Sequence, residues 1–343
     1  MTFPPPFDIS WSGVSSYPPT EAFRAGVLLN EVVTPGGLRF RRQGENTTGK
    51  MSFPSFTKMY HHKSYPAIDP SRSELSVKDK TVIVSGAGDG SIGATVAMSF
   101  ARAGARKIAL MGRTEQSLQA TKDNIVQAFP DAQILIATTD ISKAESVGTA
   151  AHHIRSSLGA WDVFAHCAAV APDPVSIAGA DEDDWWHTFE INARFSSHFA
   201  KHFLPKCRPN ATYIGTNAAA CHIAASRMPK SSAYSASKIA AAKLDEYLAH
   251  ENPQLRVFTL HPGVVKSKMS RRFLGDQGPP GFVFDDAELS ANFMVWLVSS
   301  EAEFLRGRYL WCNWDVEELI ARKAEIEANP FLFTLTLGGW PFQ

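Results

Sequence analysis

Tyr234 and Lys238 are the residues of this chain whose types and spacing most directly suggest chemistry. They are four positions apart in a segment with helical character, so both side chains would lie on one face of a helix. An ammonium group close to a phenol favours the phenolate and brings the pKa of the phenol towards neutral pH. A tyrosine in that setting can give and take a proton during catalysis. The pair therefore predicts an acid–base site, although Tyr-x-x-x-Lys on its own is more often a surface pair.

A glycine-rich segment lies between a short β-branched run and an Ala-rich helical pattern. Glycines let the backbone approach a phosphate closely, and the N–H groups and dipole of the following helix offset its charge. The spacing differs from G-x-G-x-x-G, so a simple turn is the alternative, and the position after the first strand favours dinucleotide binding. The residues assigned to this site are Gly86, Gly88, Ser91, Ile92 and Gly93.

The residues after the second predicted strand bear on the kind of dinucleotide. Sites for NAD usually place an acid there to hold the ribose hydroxyls. Here the sequence is Gly112-Arg113-Thr114, and the guanidinium fork of Arg113 suits the 2′-phosphate of NADP. A solvated loop arginine is the alternative. Asp140 and Ile141, after the third strand, are predicted to make a polar and an apolar contact with adenine.

Strand-like and helix-like segments alternate from Lys80 towards the C-terminus. This alternation predicts an α/β fold, a doubly wound parallel sheet with helices on both faces. One long helix is predicted over Asp184–Leu204, and the Tyr234 helix is predicted over Ala233–Ala249. The predicted strands are Thr81–Val84, Lys107–Met111, Gln133–Thr138, Trp161–Ala165, Thr212–Ile214, Arg256–Leu260 and Tyr309–Trp311.

Composition and charge limit the partners. Lys and Arg together number 34, as do Asp and Glu, so no broad basic surface for nucleic acid is expected. No apolar run reaches the length of a membrane span and the N-terminus lacks a secretory pattern, so we expect a cytoplasmic protein that does not bind membranes. The cysteines have no short pair spacing, and His198 and His202 have no acidic or third histidine partner, so no metal site is expected.

Three regions of the chain differ in character. Residues 1–50 are rich in Pro and Gly, which predicts a flexible extension. Residues 51–76 carry several aromatic side chains and are expected to form an arm on the surface of the core. Residues 77–343 form the predicted NADP-binding domain.

From about Met51 onward, the chain resembles the short-chain dehydrogenase/reductase family, particularly its fungal branch. The motifs that carry the resemblance occur in family order across nearly the whole core. They are the glycine loop at Gly86 to Gly93, Asp140-Ile141, Asn192, Tyr234-x-x-x-Lys238, His261-Pro262-Gly263-Val264-Val265 and Asn313-Trp314-Asp315-Val316.

The resemblance implies a Rossmann-type fold and roles for further residues. Asn192 would hold a water that links Lys238 to solvent, Val265 and Ser267 would lie near the nicotinamide carboxamide, and Ala168 would belong to the cofactor site. The loop-rich stretch at about 266–285 corresponds to the family's substrate cover, and its apolar residues suggest a lid over a hydrophobic substrate. A homodimer or homotetramer is expected.

Three positions depart from the family pattern. The glycine loop has one additional residue, most simply Ser91. The usual Asn-Asn-Ala-Gly reads His166-Cys167-Ala168-Ala169, so this strand end must be braced differently. The catalytic serine is absent; Thr216 is its best match and keeps a hydroxyl that could polarise a carbonyl, whereas Cys221 fits the ungapped spacing but is a poor hydrogen-bond donor.

These features predict an NADP(H)-dependent oxidoreductase that interconverts a ketone and a secondary alcohol on a small, hydrophobic substrate, with secondary metabolism as a plausible setting. Thr216, Tyr234, Lys238 and Asn192 would form the catalytic group. Two alternatives stay open: a non-redox step such as cyclisation or dehydration with the same fold and cofactor, and a regulatory protein that binds NADP.

Overall fold

The computed structural model describes residues 55–337 in full and, before them, the backbone of residues 31–33 and 39–41. The chain divides into two compact units, Met1–Asn46 and Thr47–Gln343. In the first unit, strands β1 (Glu31–Val33) and β2 (Arg39–Arg41) pair in antiparallel fashion. The flexible extension predicted for residues 1–50 otherwise lies outside the described residues.

A seven-stranded sheet forms the centre of the second unit, with the strand order β5-β4-β3-β6-β7-β8-β9 and parallel pairing throughout. This arrangement confirms the predicted doubly wound α/β fold. The winding direction reverses between β3 and β6, which is where such sheets form a ligand crevice. The strands are β3 (Thr81–Ser85), β4 (Lys107–Gly112), β5 (Gln133–Thr138), β6 (Trp161–His166), β7 (Cys207–Thr216), β8 (Arg256–His261) and β9 (Tyr309–Trp311).

Two strands of the sheet, β3 and β8, are buried along their whole length. Every residue of β3 and of β8 is buried, whereas the edge strand β5 has exposed and partly exposed positions. A strand covered by helices on both faces needs apolar or hydrogen-bonded side chains at every position, which explains the short β-branched runs in the sequence.

Helices cover both faces of the sheet. Helices α1, α2 and α8 pack with one hydrophobic cluster, and α3 and α5 with a second cluster on the opposite face. The helices are α1 (Ile92–Arg102), α2 (Glu115–Ala128), α3 (Ala144–Leu158), α4 (Glu182–Asn192), α5 (Phe195–His202), α6 (Ser232–Glu251), α7 (Lys268–Leu274), α8 (Ala287–Val298), α9 (Val316–Ala321) and α10 (Lys323–Ala328).

The prediction of a single helix over Asp184–Leu204 is wrong, because the helix is interrupted between α4 and α5. The backbone amides of Ala193 and Arg194 both bond to the Phe189 carbonyl, at 2.9 and 3.0 Å, so the helical register slips there. The break lies directly after Asn192, whose side chain is held from outside the helix.

The described part of the predicted arm, residues 55–76, contributes to the core and does not only cover its surface. Ile68 and Leu75 are completely buried within the larger hydrophobic cluster. The backbone of Tyr60 pairs with Trp314, which joins the arm to the segment after β9. The arm therefore belongs to the same compact unit as the sheet.

Candidate active site

The carboxyl ends of four adjacent strands bring the predicted site residues to one edge of the sheet. Ser85 at the end of β3 lies opposite His166 of β6, His166 lies opposite Gly215 of β7, and Thr216 lies opposite Leu260 of β8. The glycine loop, the His166–Ala169 segment, Thr216 and the loop after β8 consequently surround one crevice.

The glycine loop is packed tightly against the sheet at its ends and open at its turn. A Cβ at Gly86 would lie 2.7 Å from the Ala168 Cα, and one at Gly93 would lie 2.4 Å from the Gly86 carbonyl oxygen. A Cβ at Gly90 would meet nothing within 4 Å, so the additional residue is accommodated in the exposed turn from Gly88 to Ser91. The two end glycines are therefore required by the packing of the protein itself, which holds the loop beside the crevice.

Ser91 begins helix α1 as its N-cap. Its Oγ accepts a hydrogen bond from the Ala94 amide at 3.0 Å and donates to the Gly86 carbonyl at 2.7 Å. Ile92 is the first residue of the helix. The N-terminus of α1 is thereby anchored beside the loop, where its dipole can offset a phosphate charge.

Ser85 and His166 brace the strand end that lacks the family's asparagine. The Ser85 Oγ lies 2.7 Å from His166 Nδ1 and accepts from the Cys167 amide at 3.2 Å. The His166 ring stacks on Phe195 with centroids 4.2 Å apart. Burial lowers the pKa of His166 to about 3, with a contribution from Lys238, so the ring is a neutral structural group at physiological pH.

Arg113 is exposed at the end of β4 and lines the main cavity of the site. Within residues 55–337 its guanidinium forms no ion pair with a carboxylate, so its donors are available to a phosphate. No acid follows β4 at the position that would hold ribose hydroxyls. These features fit the 2′-phosphate of NADP.

Asp140 and Ile141 follow β5, as predicted, but they differ in how much of each side chain is free to contact an adenine ring. The Asp140 carboxylate accepts from Ser142 Oγ at 2.6 Å, and this bond holds the pKa of Asp140 below its usual range. Ile141 is 4% exposed and packs within the core, so only a small part of its side chain can face an adenine ring. Its carbonyl lies 3.1 Å from His198 Nδ1.

The loop after β8 is held by groups outside it. Val265 pairs with Asp285 in a parallel bridge. Ser267 is the N-cap of α7. Its Oγ accepts a hydrogen bond from the Ser270 amide at 3.1 Å, and the Ser267 amide donates to Ser270 Oγ at 2.9 Å. Much of the Ser267 hydroxyl's bonding capacity is thus used within the lid.

Tyr234 and Lys238 lie on α6 and are both buried, with 9% and 2% of their surface exposed. The Lys238 Nζ donates to the Thr216 carbonyl at 2.9 Å. Burial lowers the pKa of Lys238 to about 8, while attraction to Asp245 acts in the opposite direction. Burial, with a contribution from Cys221, raises the pKa of Tyr234 above its usual range, which is opposite to the shift expected from an ammonium alone.

Both candidates for the missing serine lie near this pair. The Thr216 hydroxyl donates to the Cys167 Sγ at 3.6 Å, and its carbonyl is the acceptor for Lys238. Cys221 ends a short 3-10 turn, and burial raises the pKa of its thiol to about 11. A hydroxyl is the better donor of the two, so Thr216 stays the predicted replacement for the serine.

The Asn192 side chain is occupied by neighbouring groups. Its Oδ1 accepts from the Val170 amide at 2.9 Å, and its Nδ2 donates to the Val170 carbonyl at 2.8 Å and to Ser237 Oγ at 3.0 Å. These bonds tie the end of α4 to the loop after β6 and to the Tyr234 helix. A water bound by Asn192 would contact its backbone or the remaining lone pair of Oδ1.

A cavity of about 440 Å³ adjoins Tyr234. Helix α7, within the predicted lid, covers it: the Phe273 ring lies over the Tyr234 ring with centroids 5.9 Å apart and an interplanar angle of 30°. Arg272 donates to the Ala171 carbonyl and pairs with Asp173 at 3.4 Å. The cavity walls combine aromatic and charged groups, among them Trp185, Phe273, Arg113 and Lys230.

Asp245 is a buried acid near the site that the sequence did not single out. It accepts from Thr259 Oγ1 at 3.0 Å and also contacts the Tyr213 hydroxyl. Burial raises the pKa of Asp245 to about 7. The sequence did contain a signal for Asp245, since an acidic residue two helical turns after Lys238 lies on the same side of the helix and follows a run of alanines.

The two histidines of α5, His198 and His202, contact different parts of the protein. His198 lies against the Ile141 carbonyl, and the His202 ring packs beside Gly148. In residues 55–337 no group of three or more His, Cys, Asp or Glu side chains could hold a metal ion.

No helix within the described residues is long and apolar enough to cross a membrane.

Comparison with known proteins adds independent findings. A family model described as short chain dehydrogenase matches residues 80–277. A short chain dehydrogenase/reductase from Claviceps purpurea (strain 20.1) is 32% identical over 291 residues, which cover 83% of this chain and 95% of that protein. A short chain dehydrogenase from Monascus purpureus is 32% identical over 275 residues, 78% of this chain and 91% of that protein.

Solved structures share the fold. A short chain dehydrogenase from Pseudomonas syringae superposes with a TM-score of 0.64 at 23% identity, over 71% of this chain and 97% of that chain. One from Shigella flexneri 2a, in complex with NADP, superposes with a TM-score of 0.63 at 22% identity, over 70% of this chain and 99% of that chain.

Proposed function

Because the chain belongs to the short-chain dehydrogenase/reductase family, we propose that it is an NADP(H)-dependent oxidoreductase that interconverts a ketone and a secondary alcohol. The substrate is small and predominantly hydrophobic. The resemblance to the fungal branch supports a setting in secondary metabolism. The observation that carries the proposal is the buried pair Tyr234 and Lys238 beside the cavity, at the sheet edge that also holds the glycine loop.

The residues at this edge fit NADP(H). Gly86 and Gly93 permit the packing that holds the loop beside the crevice, and the α1 N-terminus offers its dipole to a pyrophosphate. Arg113 supports the phosphorylated cofactor, because its guanidinium has no carboxylate partner in the described part of the chain. When bound, the cofactor supplies or accepts the hydride.

The side chains of the site then handle the proton. In the reducing direction, Tyr234 donates its proton to the carbonyl oxygen, and its raised pKa keeps the donating form populated at neutral pH. The Lys238 ammonium, which is mostly protonated below a pKa of about 8, stabilises the phenolate that is left. Thr216 polarises the same carbonyl once its hydroxyl leaves the Cys167 sulfur. Asn192 assists proton return through water bound at its backbone.

Substrate access requires the lid to move. Only 9% of Tyr234 is exposed, and Phe273 covers one face of its ring. Displacement of Phe273 would expose more of the Tyr234 ring to the 440 Å³ cavity and offer aromatic surface to an apolar substrate.

We also extend the proposal to self-association. The exposed faces of α4 and α6 carry large apolar side chains: Trp186 is 59% exposed, Ile239 46% and Tyr247 57%. Apolar groups clustered on adjoining helices favour burial against another copy. A homodimer or homotetramer through these helices agrees with the family expectation.

Replacement of one hydroxyl tests the chemistry. In Tyr234→Phe we expect turnover of a ketone panel with NADPH to fall by about a thousandfold or more, with NADPH affinity nearly unchanged. Tyr247→Phe, on the exposed part of the same helix, is the matched control. Undiminished turnover in Tyr234→Phe would overturn the mechanism. Substrate consumption without a change in nicotinamide absorbance would favour the non-redox alternative, and NADPH binding without any turnover would favour a regulatory protein.

A further inference from the structure

Asp285 holds the loop that follows β8. Its Oδ2 accepts from the Val264 amide at 2.6 Å, and its own amide donates to the Val264 carbonyl at 3.0 Å. Gly263 has a φ of 74°, and a Cβ there would lie 2.5 Å from the same Oδ2. Asp285 thus fixes both the amide and the carbonyl of Val264 and leaves no space for a side chain at Gly263.

The other oxygen of Asp285 receives its donors from elsewhere in the chain. His62 Nδ1 lies 2.6 Å from Oδ1, and Asn313 Nδ2 donates to Oδ1 at 3.0 Å. The Asp285 side chain is 3% exposed, so its orientation depends on these donors. Burial raises the pKa of Asp285, while the Val264 amide, His62 and Asn313 lower it.

Backbone bonds fix the arm at this point. The His61 amide donates to the Asn313 carbonyl at 2.8 Å, and Asn313 Nδ2 donates to the His61 carbonyl at 2.8 Å. The Asp286 amide donates to the His62 carbonyl at 2.9 Å. The His62 ring is therefore brought to Asp285 with little freedom.

We propose that the arm completes the cofactor site, with His62 acting through Asp285 as a positioning residue for the Gly263–Val265 loop. The inference rests on the proposed function and on the family resemblance, which implies that Val265 lies near the nicotinamide carboxamide. His62 does not touch the reacting atoms; its hydrogen bond holds the carboxylate in the orientation that receives the Val264 amide.

The test compares two neighbouring histidines of the full-length protein. His61 also makes one hydrogen bond, from Nε2 to Asp315 Oδ2 at 2.8 Å, and stacks on Tyr65, but it has no side-chain bond to Asp285. His61→Ala therefore loosens the arm without touching the loop. His62→Ala removes the donor to Asp285, and His62→Asn places an amide N–H where Nδ1 stood.

Two measurements separate the variants. We expect His62→Ala to raise the dissociation constant for NADPH by about three- to tenfold, the net loss expected for one typical hydrogen bond, and His62→Asn to recover most of it. Amide hydrogen exchange at Val264 should accelerate in His62→Ala alone. Unchanged exchange at Val264 in His62→Ala, or equal weakening of NADPH binding in His61→Ala and His62→Ala, would overturn the inference.

The exchange measurement also keeps this inference separate from the proposed function. A wild-type protein that binds neither NADPH nor NADH would remove the cofactor assignment, while exchange at Val264 would still decide whether His62 orders the loop.

Discussion

Asp245 lies two helical turns beyond Lys238 on the buried side of α6, and burial brings the pKa of both groups close to neutrality. The carboxyl pKa is raised to about 7 and the ammonium pKa is lowered to about 8. Attraction between them raises the pKa of Lys238 and lowers that of Asp245. Asp245 therefore helps to keep the catalytic ammonium protonated inside the protein.

Removal of this charge should shift the pH dependence of activity. In Asp245→Asn the pKa of Lys238 loses its largest upward contribution, so we expect the alkaline limb of kcat to move down by about one pH unit or less. Glu251→Gln is the matched control, since it removes a charge from an exposed position at the C-terminal end of the same helix. An alkaline limb that stays in place in Asp245→Asn would contradict the coupling.

The same variant has a stability signature of defined sign. The carboxyl pKa of Asp245 is raised on folding, so between about pH 4 and pH 7 the folded state binds more protons than the unfolded state. Stability from this group is present below that window and is lost as pH rises through it. Thermal unfolding of Asp245→Asn should therefore depend less on pH between these limits than that of the wild type.

Cofactor preference depends on Arg113. We expect Arg113→Ala to weaken NADPH binding by about tenfold, because a charge-assisted bond to the 2′-phosphate is lost, and to leave NADH binding unchanged. Fluorescence titration with both cofactors measures the effect. Lys107→Ala, which removes a cation from the opposite end of β4, is the control. Equal affinity of the wild type for NADPH and NADH would discard the phosphate assignment.

The role of the missing serine can be assigned by comparing Thr216 with Cys221. Thr216→Val keeps the shape of the side chain and removes the hydroxyl, so kcat/KM should fall by about a hundredfold if this group polarises the carbonyl. Cys221→Ala should change kcat/KM much less, because a thiol is a weak donor. NADPH affinity serves as the control for folding in both variants. A larger loss in Cys221→Ala would transfer the role to the thiol.

The sequence by itself determined the features that depend on local pattern. Short apolar runs that alternate with helical segments predicted all seven strands of the sheet. A strand buried on both faces requires apolar residues along its length, so such a run marks it in the sequence. The Tyr234–Lys238 spacing placed both groups on one helical face, and the order of the motifs identified the family.

Tertiary structure alone decided the contacts between distant segments. The Ser85–His166 brace, the bond between Val170 and Asn192 and the His62–Asp285 bond join residues that are separated in the chain, the last by 223 positions. Burial, which no local pattern specifies, set the pKa of Tyr234, Lys238 and Asp245. A side chain's neighbours and its access to water are properties of the packed fold, so its chemistry could be assigned only after the segments were placed together.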